Sequence, residues 1–195
     1  MSVATPAVLA DAFPRSTVRN AVLVVGGAAF VGLAAQVAVP LPWTPVPVTG
    51  QTFAVLLTAA ALGTWRGVAS MLLYALMGVV GVPWFAGGSS AFQGGALVVS
   101  FGYIIGFIAA AAIVGHLAER GATRTALRTA GLMVLGNLVI YSIGVLWLAA
   151  AIDVSLARAI ELGAQPFLLG DALKVALAAG LFPMAWRAVD RFQSR

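Results

Sequence analysis

Gly63-Thr64-Trp65-Arg66-Gly67 interrupts an otherwise apolar run from 51 to 82. The reading of that interruption decides the fold. Taken as one span, 51–82 gives a chain that crosses a membrane five times. Taken as two segments, 51–63 and 67–82, it gives six. A helix over 51–63 covers only about 20 Å against a hydrocarbon core of about 30 Å. The two segments are therefore either short spans lengthened into their flanking loops or the arms of a re-entrant hairpin.

Working outward, further apolar segments run over 21–39, 97–118, 130–151 and 168–186. Charge decides between the models. With six crossings and the N-terminus inside, Arg15, Arg19, Arg66, Arg120, Arg124, Arg128, Arg187, Arg191 and Arg195 lie on the inner side, and only Arg158 lies outside. Merging 51–82 into one span leaves three arginines inside and six outside. Cytoplasmic loops carry the excess of Lys and Arg, so the five-span model is poor; a hairpin keeps the same parity and survives. The expected fold is an all-α integral membrane domain of six transmembrane helices with both termini cytoplasmic. It occupies 1–195 as one unit, with a cytoplasmic segment at 1–19 and a cytoplasmic tail at 188–195.

Composition agrees. Hydrophobic residues make up 62% of the chain and charged residues 9%, against about 25% charged in soluble domains. The net charge of +5 does not point to nucleic acid, because no basic stripe is interleaved with stacking aromatics. The absence of cysteine excludes disulfides and thiolate metal sites. The first apolar segment is long for a signal-peptide core, and no clean A-x-A site precedes Pro40.

The outer side then holds three loops, 40–50, 83–96 and 152–167. Pro40, Pro42, Pro45 and Pro47 make the first a stiff, non-helical segment, suited to a pocket wall, a lid or a plain connector. The second, from Pro83 to Gly95, is glycine-rich with aromatics at both ends, which fits a gate or a linker; Trp43 and Trp84 equally suit interfacial anchors. The third leads into Gly170-Asp171-Ala172-Leu173-Lys174, where the only lysine of the chain stands three residues after an aspartate. That spacing puts both on one helix face. Charges at membrane depth are costly and usually functional. Asp171 could simply cap the helix, but a cation in the first turn opposes the helix dipole. Lys174 needs an anion, supplied by Asp171 itself or by a ligand carboxylate. Tyr103 and the i, i+4 pair Asn137 and Tyr141 are further polar candidates in apolar surroundings, each needing a partner. Nucleophilic chemistry is missing. His116 is alone at the inner end, no histidine stands on the side of Ser89 and Ser90, and there is no H-E-x-x-H or Walker A pattern. No enzyme activity is expected, and any ATP-driven step must come from other chains.

Four stretches resemble the BioY family, the substrate-binding S components of energy-coupling-factor (ECF) biotin transporters. They are Pro40 to Leu57, Gly78 to Gly88, Gly102 to Phe107, and Pro166 to Lys174; Gly136-Asn137 through Tyr141 and Trp147 also looks like the family's fifth helix. One departure is Val99-Ser100-Phe101 before Gly102-Tyr103, where the family often has a Gly-Pro-Thr-type turn; it puts contacts near Gln93 in doubt. The resemblance implies an ECF S-component-like domain in the bacterial cytoplasmic (inner) membrane, with an outward-facing pocket for biotin as transported ligand and no cofactor. It implies a transmembrane T component and two cytoplasmic ATP-binding subunits as partners, alongside membrane lipid; pairing with itself is left open. The implied site is Asp171, Lys174, Gln51, Phe85, Tyr103, Asn137 and Tyr141. Asp171 would accept from the ureido N–H groups, Lys174 would hold the valerate tail or only orient Asp171, and Phe85, Tyr103 and Tyr141 would cover the apolar faces. Small residues on the first helix, Ala28, Gly32, Ala34 and Ala38, are the implied docking face. The rival readings are an S component for a different vitamin, a small intramembrane enzyme, and a structural assembly subunit.

Overall fold

The computed structural model describes residues 6–12, 14 and 16–193. Arg15 and Arg195, two of the charges used to orient the chain, lie outside them. Among the described residues seven α-helices follow in order: α1 Thr17–Gln36, α2 Gln51–Leu62, α3 Thr64–Val79, α4 Phe101–Glu119, α5 Ala126–Ala151, α6 Leu156–Gly163 and α7 Leu168–Gln193. Two short antiparallel pairs decorate the loops, β1 Ala38–Val39 with β2 Val48–Thr49 and β3 Phe92–Gln93 with β4 Ala96–Leu97. Four helical stretches are long and apolar enough to cross a membrane: Thr17–Gln36, Phe101–Glu119, Ala126–Ala151 and Leu156–Phe192. Gln51–Leu62 is apolar but shorter.

The decisive interruption turns out to be a single residue. Gly63 separates α2 from α3 at φ 83° and ψ −177°, a conformation that favours glycine. The new helix start is satisfied from a distance. Thr64 donates its backbone N–H to Glu119 Oε1 at 2.7 Å and its hydroxyl to Glu119 Oε2 at 2.9 Å. The last residue of α4 thus does for α3 what an N-cap side chain does elsewhere. Arg66 is neither loop nor tail. It lies buried in the first turn of α3, donating to Asp11 Oδ1 at 2.7 Å and to the Leu62 carbonyl at 2.8 Å. The segment around Leu9–Ala12 is drawn onto the end of the bundle where α2 meets α3; there Val8 and Ala10 are buried and Arg124 donates to the Pro6 carbonyl. At the other terminus α7 runs on to Gln193, so the residues expected as a tail from 188 are mostly its last turns.

The helices α4 and α5 form the central pair, with α2 and α3 packed on α4 and α7 on α5. A methyl at Gly106 would come within 2.9 Å of the Ile140 carbonyl oxygen, so the glycine is what lets these two backbones approach. The small residues of α1 lie on or near its inward face. Ala28 and Gly32 are buried inside the chain, and Gly32 lies under the Trp84 ring. Ala34 packs on Gly50, and Ala38 is half-buried in β1, paired with Thr49. The small residues are used to seat α1 on its own bundle. The outward face carries Val18, Val22, Val25 and Leu33.

Candidate functional site

The three loops close over a cavity with about 540 Å³ of empty space, counted to its open mouth. The prolines of the first loop form part of its wall, because Val46 and Pro47 line it. The loop is tied down by Thr44, whose hydroxyl donates to the Leu162 carbonyl of α6 at 2.6 Å. An amphipathic helix therefore stands where the sequence suggests only a loop. The second loop is neither free linker nor open gate. It folds as a turn at Ala86–Gly88 and the β3–β4 hairpin, and sends Phe85 inward, buried against Gly78. Gln93 is exposed on the hairpin. Trp84 is held internally, its indole N–H on the Tyr74 carbonyl at 3.0 Å, while Trp43 remains exposed.

Aromatic side chains make the apolar walls. Tyr103 meets Tyr141 edge to face with centroids 6.4 Å apart, and Tyr141 stacks on Phe167 at 6.2 Å. Tyr103 donates its hydroxyl to the Gly163 carbonyl at 2.8 Å, so its ring is fixed and its polar end is satisfied. Phe85, Ile104 and Phe107 complete the surface.

The polar side is a network across three helices. Asp171, buried in the first turn of α7, accepts from Lys174 Nζ at 3.1 Å, from Thr52 Oγ1 at 3.4 Å and from the Tyr141 hydroxyl. Lys174 also donates to Thr52 Oγ1 at 2.9 Å. Asp171 is thus no helix cap; its carboxylate is used sideways, as counterion and acceptor. A buried charge survives only when paired and hydrogen-bonded, and here both ions meet that condition. At the start of α2, Gln51 is held at both ends of its amide. Nε2 donates to the Tyr74 hydroxyl at 2.7 Å and Oε1 accepts from Thr49 at 3.1 Å.

Of the residues expected at the site, Gln51, Phe85, Tyr103, Tyr141 and Lys174 line the one cavity. Asp171 stands behind Tyr141 and Lys174, toward a groove between α5 and α7 that it shares with Asn137. Asn137 does not line the cavity; it borders a small space beside Lys174. Thr49, Thr52 and Ser100 line the cavity and were not singled out. The signal for the threonines was the run Thr49-Gly50-Gln51-Thr52, which gathers polar groups where an apolar helix begins.

The BioY family pattern matches residues 7–191. The biotin transporter BioY of Thermotoga maritima is 36% identical over 144 residues, covering 72% of this chain and 81% of its own. A probable biotin transporter BioY of Pyrococcus horikoshii is 38% identical over 153 residues, covering 77% and 85%. BioY2 of Lactococcus lactis is 34% identical over 158 residues, covering 80% and 83%. A crystal structure of the S-component for biotin from an ECF-type ABC transporter superposes with a TM-score of 0.78, covering 89% of this chain and 95% of that one, at 19% identity; that likeness speaks for the fold. With the match running through the whole helical bundle and its loops, this chain belongs to the BioY family.

Proposed function

We propose that this protein is the biotin-binding S component of an ECF transporter, carrying biotin across the bacterial cytoplasmic membrane. It works with a transmembrane T component and two cytoplasmic ATP-binding subunits on other chains, whose ATP-driven rearrangement carries the loaded cavity inward. The chain crosses the membrane six times as one domain, α2 and α3 being the short second and third spans. Residues 1–19 and the end from 188 lie in the cytoplasm.

The observation that carries this reading is the pairing of aromatic walls with one polar network in a single cavity. Biotin has a rigid ureido ring fused to a thioether ring, and a valerate tail. Its apolar faces fit between Phe85, Tyr103 and Tyr141. Its ureido group offers N–H donors and one carbonyl acceptor, which suit the Asp171–Lys174–Thr52 network and Gln51. Binding replaces water around these groups with partners already in place, which lowers the ordering cost.

Calorimetric titration of detergent-purified, ligand-stripped protein with biotin tests the reading. Wild type is expected to bind in the nanomolar range. Asp171→Asn keeps the shape but leaves Lys174 an uncompensated cation, so affinity is expected to fall by at least about a hundredfold. Failure of well-folded wild type to bind biotin sinks the function and directs a screen of other vitamins. Unchanged affinity in the variant keeps biotin and removes Asp171 from the site.

A further inference from the structure

An ammonium has three N–H donors. Two of those on Lys174 are placed, on Thr52 Oγ1 at 2.9 Å and on Asp171 Oδ1 at 3.1 Å. Across from it on α5, Asn137 is 8% exposed, and its Oδ1 accepts no hydrogen bond from the protein. Both side chains line one small space of about 10 Å³ between α2, α5 and α7, whose other walls are Phe53, Leu56, Met133 and Val175. That is close to the room one water molecule needs, and those walls offer no other polar side chain. An acceptor left unpaired in apolar surroundings is costly, and Lys174, whose side chain is 18% exposed, has one N–H beyond the two placed.

We propose that one buried water bridges Lys174 Nζ to Asn137 Oδ1, and that Asn137 is a positioning residue acting on the ligand only through that ammonium. The proposal rests on the biotin reading of the cavity. The water accepts from Lys174 and donates to Asn137. With Thr52, Asp171 and the water taking its three hydrogens, Lys174 meets the ligand as a fixed charge rather than as a free donor. It also holds Asp171 and Thr52 in register for the ligand.

Two measurements test this. The first is a crystal structure of the ligand-free protein at a resolution that orders solvent. A water within hydrogen-bonding distance of both atoms in wild type, lost in Asn137→Leu, is the expected result; a dry space, or a direct Asn137–Lys174 bond, overturns the proposal. The second is a double-mutant cycle on biotin affinity. Asn137→Leu is expected to weaken binding about tenfold in wild type and to add nothing in a Lys174→Met background. Equal losses in both backgrounds would make Asn137 merely structural. If Lys174→Met binds too weakly to titrate, the same cycle is read on melting temperature, with the same two outcomes. Should wild type fail to bind biotin at all, the transport reading falls, while the solvent density and the stability cycle still judge the water.

Discussion

Tyr103 is held by what surrounds it on two sides. Its ring lies against Gly144, where any side chain would collide with it, and its hydroxyl is committed to Gly163. Gly144→Ala must push the ring toward the cavity. Overpacking of this kind costs about 1–3 kcal/mol, so a lower melting temperature and about tenfold weaker biotin binding are expected. Unchanged affinity in a destabilised variant would detach the ring from the fit of the ligand. At this scale the sequence was uneven. Asp171 and Lys174 were legible because charges inside an apolar run have no ordinary use there. Thr52 was not, since a threonine near a helix start is commonplace. The Tyr141–Asp171 contact depends on how α5 packs against α7, which spacing along one helix cannot reveal.

The helices were legible and their ends less so. Ser16 accepts from the Arg19 N–H, so α1 begins before its apolar segment does. Residues 96–97 go into the hairpin, so α4 starts later. The eight-residue α6 was missed because it is short and carries Arg158 and Glu161, which read as loop. Small residues at i, i+4 permit close packing on any neighbour, and on α1 Ala28 and Gly32 meet an internal one. The segment around Leu9–Ala12 carries a prediction at this scale. Arg66 and Asp11 are largely buried, with side chains 6% and 13% exposed. Asp11→Ala leaves the guanidinium without its counterion, a loss of about 3 kcal/mol for a broken buried pair. Thermal unfolding in detergent should show it. A melting temperature equal to that of wild type would mean that the Leu62 carbonyl and Asn20 Oδ1, which accepts from Arg66 Nη1 at 3.5 Å, suffice for Arg66.

For the whole molecule, the proposed parity of crossings rests on the arginines, whereas the form of 51–82 was not legible, because a single glycine sets it. The chain has no cysteine, which gives a clean background for labelling. With a membrane-impermeant maleimide on intact cells, Gln93→Cys should react and Ala188→Cys should react only after permeabilisation. The reverse pattern would invert the proposed orientation. The bond between Thr64 and Glu119 has a consequence for biosynthesis. The groups that start α3 find their partner 55 residues later, at the far end of α4. Away from water, such groups left unpaired cost about 1–3 kcal/mol each. As the chain is made, the joint at Gly63 is therefore expected to settle only once α4 is complete and supplies its carboxylate.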